Sequence, residues 1–261
     1  MKNKKGLVMG VANQKSIAWG IAEVLSSEGA SLALTYQGDS FKKRVEPLAK
    51  SIGSNLIFDV DVTDESSIDN CFNELSKEWG SLDFVVHALA FSDKSELSGR
   101  FINTSRQNFL NSLDISCFSL IDISKRCSPL MNSGGAILTL SYLGSQRVTP
   151  NYNVMGVAKA ALESSVRYLA SDLGEDGIRV NAISAGPMKT LAGAAIGGAR
   201  RVFRISEQNS PLKSNPTLKS VGGTAAFLLS DYGMHVSGEV IFVDGGYHVM
   251  GMPKLDDTEK V

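Results

Sequence analysis

Gly6-Leu7-Val8-Met9-Gly10-Val11-Ala12-Asn13-Gln14-Lys15-Ser16-Ile17-Ala18-Trp19-Gly20 runs from an apolar stretch through a glycine-bounded turn into a helical period, as a strand does when it turns directly into a helix. Gly10 permits the tight turn. Ser16 can cap the helix and offer its hydroxyl and amide to a phosphate, while the helix N-terminus adds positive potential. The spacing is not Gly-x-Gly-x-x-Gly, so the segment fits both a nucleotide-binding turn and plain loop punctuation before a capped helix. The same unit then repeats along the chain. Short apolar, β-branched runs predict strands at 6–11, 31–36, 55–60, 84–88, 136–140, 179–184 and 240–243, and helical periods predict helices at 16–27, 39–51, 65–78, 106–130, 152–173 and 216–229. Strands joined by helices, with both sheet faces needing cover, imply an α/β fold built on a doubly wound parallel sheet.

At 261 residues with 43% hydrophobic content, the chain is long enough for one large α/β domain or two small ones. No linker or repeat interrupts the rhythm, so a single Rossmann-type domain over residues 1–261 is expected, with helices on both faces of about seven strands. The 26 basic and 27 acidic residues leave a net charge of -1, which gives no reason to expect nucleic acid or an anionic membrane as partner. Cys71, Cys117 and Cys127 have no paired or metal-ligand spacing, and His87, His235 and His248 are scattered, so free thiols in a reducing compartment and no metal site are expected. The basic start precedes an apolar run too short for a signal peptide or a membrane span. A soluble, cytoplasmic protein follows. One stretch, 186–211, breaks the pattern: Gly193, Gly197 and Gly198 stand among alanines and three arginines, which suits either a lid over a site, at about 188–210, or an ordinary surface excursion. The polar tail at 254–261 reads as a surface extension.

Ligands of such a sheet lie beyond the carboxyl ends of the strands. The second strand ends in Tyr36-Gln37-Gly38, where Gln37 can bond a ribose hydroxyl but offers no charge to a 2′-phosphate, which favours NADH over NADPH, while Lys42 and Lys43 stand a few residues on as the cations an NADPH reading would use. Asp61-Val62 can hold an adenine edge, and Ala88-Leu89 offers small or apolar residues where a ribose and nicotinamide pass close to the backbone. On the helix at 152–173, Tyr152 and Lys159 are nearly two turns apart, separated by roughly 10 Å of rise, and so share a face. Such a pair is either a solvated helix face or a phenol that donates to a substrate oxygen while a cation lowers the cost of its charge.

The series Gly10…Ser16-Ile17-Ala18…Gly20, Asp61-Val62, Ser141-Tyr142-Leu143-Gly144, Pro150-Asn151-Tyr152-Asn153-Val154-Met155-Gly156…Lys159-Ala160, Arg179 to Pro187 and Val243-Asp244-Gly245-Gly246 resembles the short-chain dehydrogenase/reductases. More narrowly it resembles the bacterial NADH-dependent enoyl-acyl-carrier-protein reductases. Ketone-reducing relatives place lysine four residues after the active tyrosine, where this chain has Gly156 after Tyr152 and Gln146 after Tyr142. The resemblance implies reduction of a 2-enoyl thioester in fatty-acid elongation, with Tyr152 donating to the enolate oxygen, Lys159 holding the nicotinamide ribose and Tyr142 near the thioester or acyl chain. It implies cofactor contacts at Gly10, Ser16, Ile17, Gln37, Asp61, Val62, Ala88, Leu89 and Lys159, and at Gly186, Met188, Lys189, Thr190, Leu191 and Ala192 on the nicotinamide side. Ser92, Leu97, Met155, Ile196 and Phe203 are substrate-side candidates, and plain core is the alternative for each apolar one. Arg200 and Arg201 fit either an acidic carrier protein or a solvated face, and a homotetramer is carried over from the resemblance. Two other readings stay open: a ketone or alcohol dehydrogenase, and a non-catalytic dinucleotide-binding regulator.

Overall fold

The computed structural model describes residues 1–191, 193 and 197–252. Seven parallel strands, β1 (Lys5–Met9), β2 (Ser31–Tyr36), β3 (Leu56–Asp59), β4 (Leu82–His87), β5 (Met131–Ser141), β6 (Arg179–Ala185) and β7 (Val240–Val243), form one sheet in the order β3-β2-β1-β4-β5-β6-β7. The order reverses between β1 and β4. That reversal opens a crevice at the carboxyl ends of the two central strands.

Period-two alternation sorts the strands' side chains onto two cores. Val8, Leu34, Val86, Leu138 and Ile183 face one side, under α1 (Ile17–Ser27), α2 (Asp39–Ser51) and, from the far end of the chain, α8 (Leu218–Leu229). Leu7, Met9, Val85, Ile137 and Val180 face the other, under α3 (Glu65–Trp79), α5 (Ser119–Cys127) and α6 (Val154–Gly174). Both faces are covered, and the central strands are therefore mostly apolar. Burial of Cys71 and Cys127 pushes both thiols up to about 12, so they act as small apolar core groups. Arg179, also buried, donates to Leu228 O at 2.6 Å and to Ser230 O at 3.4 Å, placing a cation at the C-terminal end of α8. No helix among the described residues is long and apolar enough to cross a membrane.

The expected helix at 106–130 is broken. It consists of α4 (Arg106–Leu113), a π-helical turn over Asp114–Phe118, α5 and a 3₁₀ turn. The break has a local cause: the Ser116 hydroxyl accepts from Phe91 N at 2.9 Å and donates to Phe91 O at 3.1 Å, which draws the helix toward the loop after β4. β5 starts at Met131, five residues before the expected 136, and slips register against β4 between Leu82 and Phe84. Within the 188–210 stretch, α7 (Ala199–Asn209) is helical. Ala192, Ile196 and the tail at 254–261, all singled out by the sequence, lie outside the described residues.

Candidate active site

One half of the rim is built from β1 to β4. Gly10 has φ +93°, and a Cβ there would lie 2.2 Å from Ala88 O and 3.2 Å from Leu89, so only glycine lets the first turn rest on the backbone after β4. Ser16 is the N-cap residue of α1, but its hydroxyl accepts from Ala12 N and Asn13 N, each at 3.0 Å, and makes no side-chain cap. It tightens the loop and leaves the amides that start at Ile17 without a side-chain partner, as an anion site requires. At the adenosine end, Asp61 accepts from Thr63 N at 2.9 Å and Thr63 Oγ1 at 2.7 Å. Burial pushes its carboxyl up, but hydrogen bonds from Thr63 and from Gln37 outweigh burial and hold it below its ordinary range. Gln37 and Asp61 are thus neighbours, whereas Val62 packs beneath α3.

The other half is a clasp between α6 and the end of β5. Lys159, buried, donates from Nζ to Leu140 O at 2.7 Å. One turn further along α6, buried Glu163 accepts from Ser141 Oγ at 2.5 Å, Ser145 Oγ at 2.6 Å and Gln146 Nε2 at 3.3 Å. Just before α6, which begins at Val154 and so leaves Tyr152 in the preceding turn rather than on the helix face the sequence predicts, the rings of Tyr152 and Tyr142 meet edge to face with centroids 4.9 Å apart, and Leu97 and Met155 complete the cluster. Desolvation raises the Tyr152 phenol above its ordinary value, with the nearby Tyr142 and Glu163 adding to the effect, so it is a neutral hydrogen-bond donor across the physiological range. Desolvation also lowers the Lys159 ammonium to about 8, against the opposing influence of Cys117 and Glu163. At pH 7 the ammonium form still predominates.

Two asparagines flank Tyr152, both in left-handed backbone: Asn151 at φ +63° and Asn153 at φ +41°. Asn151 donates to Gly197 O at 2.8 Å, at the start of the α7 segment. Asn153 donates to Glu96 O at 3.2 Å, with Leu97 O and Gly99 O at 3.4 Å, and so holds the loop after β4. These amide contacts compensate backbone conformations that cost of order 1 kcal/mol each. Ser92 donates to Asn108 Oδ1 at 3.2 Å, which makes it an anchor of that same loop to α4. On the α7 side, Lys189 Nζ stands 4.8 Å from the centre of the Phe203 ring, and Thr190 Oγ1 accepts from Gly193 N at 2.9 Å. Leu191, Arg200, Arg201 and Arg204 are exposed. Gly186, at the end of β6, presses against the Asp244 backbone and Pro216 with no room for a side chain, and Met188 packs onto the core beneath.

The sequence model of the enoyl-(acyl carrier protein) reductase family matches residues 10–248. The chain belongs to that family. It is 56% identical over 256 residues to enoyl-[acyl-carrier-protein] reductase [NADH] 1 of Rhizobium meliloti (strain 1021), covering 98% of this chain and 94% of that protein. Its fold matches the crystal structure of the enoyl-(acyl-carrier-protein) reductase of Anaplasma phagocytophilum in complex with NAD, with a TM-score of 0.94 and 55% identity, over 98% of this chain and 96% of that one. The FabI structure from Candidatus Liberibacter asiaticus matches with a TM-score of 0.95 and 52% identity, over 97% and 100% of the two chains.

In this member of the enoyl reductase family, the position four residues after Tyr152 is closed to any side chain. A Cβ on Gly156 would stand 2.8 Å from Gly144 O, and one on Gly144 would stand 2.4 Å from the Tyr152 ring. The two glycines let the turn after β5 lie directly on α6, and that contact occupies the space a lysine at 156 would need. Two buried polar residues have no role in the sequence reading. Glu163 carried a usable signal, an acid one helical turn after Lys159 on the same face. His87 carried none: its ring is fully buried, with Nδ1 2.9 Å from Thr139 Oγ1 and Nε2 2.8 Å from Ser119 Oγ, and both partners are distant in sequence.

Proposed function

We propose that this chain reduces the 2,3 double bond of trans-2-enoyl-acyl-carrier-protein thioesters with NADH, as a cytoplasmic step of fatty-acid elongation, with Tyr152 as the hydrogen-bond donor to the enolate oxygen. The observation that carries the reading is the clasp itself: Tyr152 and Tyr142 meet edge to face and Lys159 is buried against the end of β5, while backbone closes the lysine position of a ketone reductase. The donor set suits a dinucleotide. The α1 amides lack a side-chain cap and suit the pyrophosphate, the Gln37 amide and the Asp61 carboxylate offer polar contacts to the adenosine but no positive charge to a 2′-phosphate, and Lys159 suits the nicotinamide ribose. Met188, Lys189, Thr190 and Leu191 follow Gly186 at the nicotinamide end.

NADH, when bound, supplies a hydride to the β-carbon of the enoyl group. The electrons of the double bond then move toward the thioester carbonyl, whose oxygen gains negative charge. Tyr152 donates its phenolic proton in a hydrogen bond to that oxygen, and the Lys159 cation lowers the energy of the developing charge in surroundings that exclude water. Leu97, Met155 and Phe203 supply apolar wall for the acyl chain. Ser92 acts on the substrate side indirectly, through the loop that carries Leu97. Arg200 and Arg201, exposed on α7, face outward to an acidic carrier protein. The working enzyme is a homotetramer.

The test follows NADH oxidation with a crotonyl thioester, with NADPH in place of NADH, and with an acetoacetyl thioester. Turnover selective for crotonyl substrate and NADH is expected. Activity confined to the acetoacetyl substrate would overturn the reading in favour of a ketone reductase, and NADH binding without turnover of either would overturn it in favour of a regulator.

A further inference from the structure

Glu163 takes no part in the chemistry outlined above, yet it is one of the most heavily engaged side chains near the site. Glu163 is 5% exposed and its carboxylate takes three donors, and those donors bracket one residue of the proposed machinery: Ser141 precedes Tyr142, and Ser145 and Gln146 follow it. Lys159, one helical turn earlier, grips the adjacent carbonyl of Leu140. The cation and the carboxylate therefore hold neighbouring residues of the same strand end from consecutive turns of α6.

A buried carboxylate with no cation in direct contact among the described residues is costly to keep. Three hydrogen bonds meet part of that cost. The remaining observation concerns charge: Lys159 is buried with a depressed ammonium, and the groups that face it are Glu163 on its own helix, Cys117 on the π turn and His87 on β4. Of these, Glu163 is the carboxylate, one helical turn from Lys159 on the same buried face and bonded to Ser141, the residue next to the Leu140 carbonyl that Lys159 grips.

We propose that Glu163 is a positioning residue of the reducing site, fixing the turn that carries Tyr142 through Ser141, Ser145 and Gln146 and maintaining Lys159 in its charged form through the shared buried face of α6. Glu163→Gln keeps the size and one acceptor oxygen but removes the charge. Glu163→Asp keeps the charge but shortens the arm, so it no longer reaches all three donors. The pair separates the two roles.

The experiment measures NADH binding by fluorescence across the neutral-to-alkaline range, together with kcat on the crotonyl thioester and the melting temperature. In the wild type, NADH binding weakens as Lys159 deprotonates, and Lys159→Met removes that alkaline limb, which identifies the titrating group. In Glu163→Gln the midpoint of the limb moves down by about one pH unit. In Glu163→Asp it stays near the wild-type value while kcat falls about tenfold as the Tyr142 turn loosens. An unmoved midpoint in a folded Glu163→Gln protein, or a wild-type kcat in Glu163→Asp, overturns the corresponding half of the proposal. If Glu163→Gln does not fold, the Asp variant is read with Ser145→Ala, which removes one donor from outside the core; wild-type kcat in both then overturns it. The proposal rests on the enoyl-reductase reading, but the two fail differently. Wild-type protein inert on crotonyl thioester sinks that reading alone, because the NADH midpoint is measured without any enoyl substrate.

Discussion

Replacing Gly156 with alanine sets two known effects against each other. Alanine in a helix interior is favoured over glycine by about 1 kcal/mol. Here the added methyl would sit 2.8 Å from Gly144 O, a backbone atom that cannot swing aside as a side-chain tip would. Forcing a methyl into such a contact costs about 1–3 kcal/mol. The net effect is between neutral and about 2 kcal/mol of destabilisation, or a fall of up to about 8 °C in melting temperature for a chain of this size. Gly223 is the matched control: it lies inside α8, is exposed, and a Cβ there meets nothing within 4 Å. Gly223→Ala should therefore raise the melting temperature by about 2–4 °C. Activity separates the pair further. A displaced Gly144 moves the turn behind Tyr142, so Gly156→Ala should lose about 10- to 100-fold in kcat on a crotonyl thioester, whereas Gly223→Ala keeps wild-type turnover. Thermal melts and NADH-oxidation kinetics on both variants decide the matter. If Gly156→Ala is stabilised as much as Gly223→Ala and retains full turnover, the contact has slack, and backbone closure is not what excludes a side chain at 156.

Tyr152→Phe keeps the ring that packs on Tyr142 and removes only the hydroxyl, so kcat should fall about 10²- to 10³-fold with NADH affinity unchanged; loss of NADH binding would show that the phenol serves the cofactor instead. Lys159→Ala should weaken NADH binding itself, and normal affinity in a titration would refute the role given to the lysine. Replacing Arg200 and Arg201 together with glutamate should raise KM for a carrier-bound substrate while leaving a coenzyme A thioester nearly unaffected, and equal effects on both would remove the carrier contact. His87 supplies a pH prediction. Burial, with Lys159 nearby, lowers its imidazole to about 3, so the unfolded chain takes up the proton first as pH falls. Stability from this group is therefore full above the ordinary histidine value of about 6.5 and declines between there and 3, by about 2 kcal/mol at pH 5. Urea midpoints at pH 7 and pH 5 should differ less in His87→Asn than in the wild type; equal differences would mean that the ring does not titrate as described.

The strands were legible because a sheet covered on both faces demands continuous apolar β-branched runs, and nothing else in the chain imitates them. The helix at 106–130 was not, because its interruption depends on Ser116 reaching Phe91, a contact between segments 25 residues apart that no local period records. Ser16 illustrates a subtler limit. Its position as N-cap residue was readable, but its hydroxyl has two competing sets of amides within reach, and the loop's geometry hands it to Ala12 and Asn13. Tyr152 and Lys159 stood out by spacing, and Tyr142 by the family resemblance. Their surroundings did not, since Gly144 against Gly156 and Glu163 against Ser141 are meetings of α6 with β5 that exist only once the sheet has formed. Leu97 is buried against Tyr152 and Met155, a packing that no period in its own segment records.

The reversal of strand order between β1 and β4 also governs how the protein comes together. β1 must pair on one side with β2, close by in sequence, and on the other with β4; the Lys5 amide bonds Asp83 across a separation of 78 residues. Closing so long a span is an entropic debt incurred before any contact across it is formed. The Gly10 turn rests on Ala88 along that seam, so the dinucleotide cleft is absent until the two halves of the chain have joined. A ligand spanning the seam then binds only the closed protein. At a hundredfold excess over its Kd, NADH would add about 2.7 kcal/mol against unfolding, acting as a bolt across that joint.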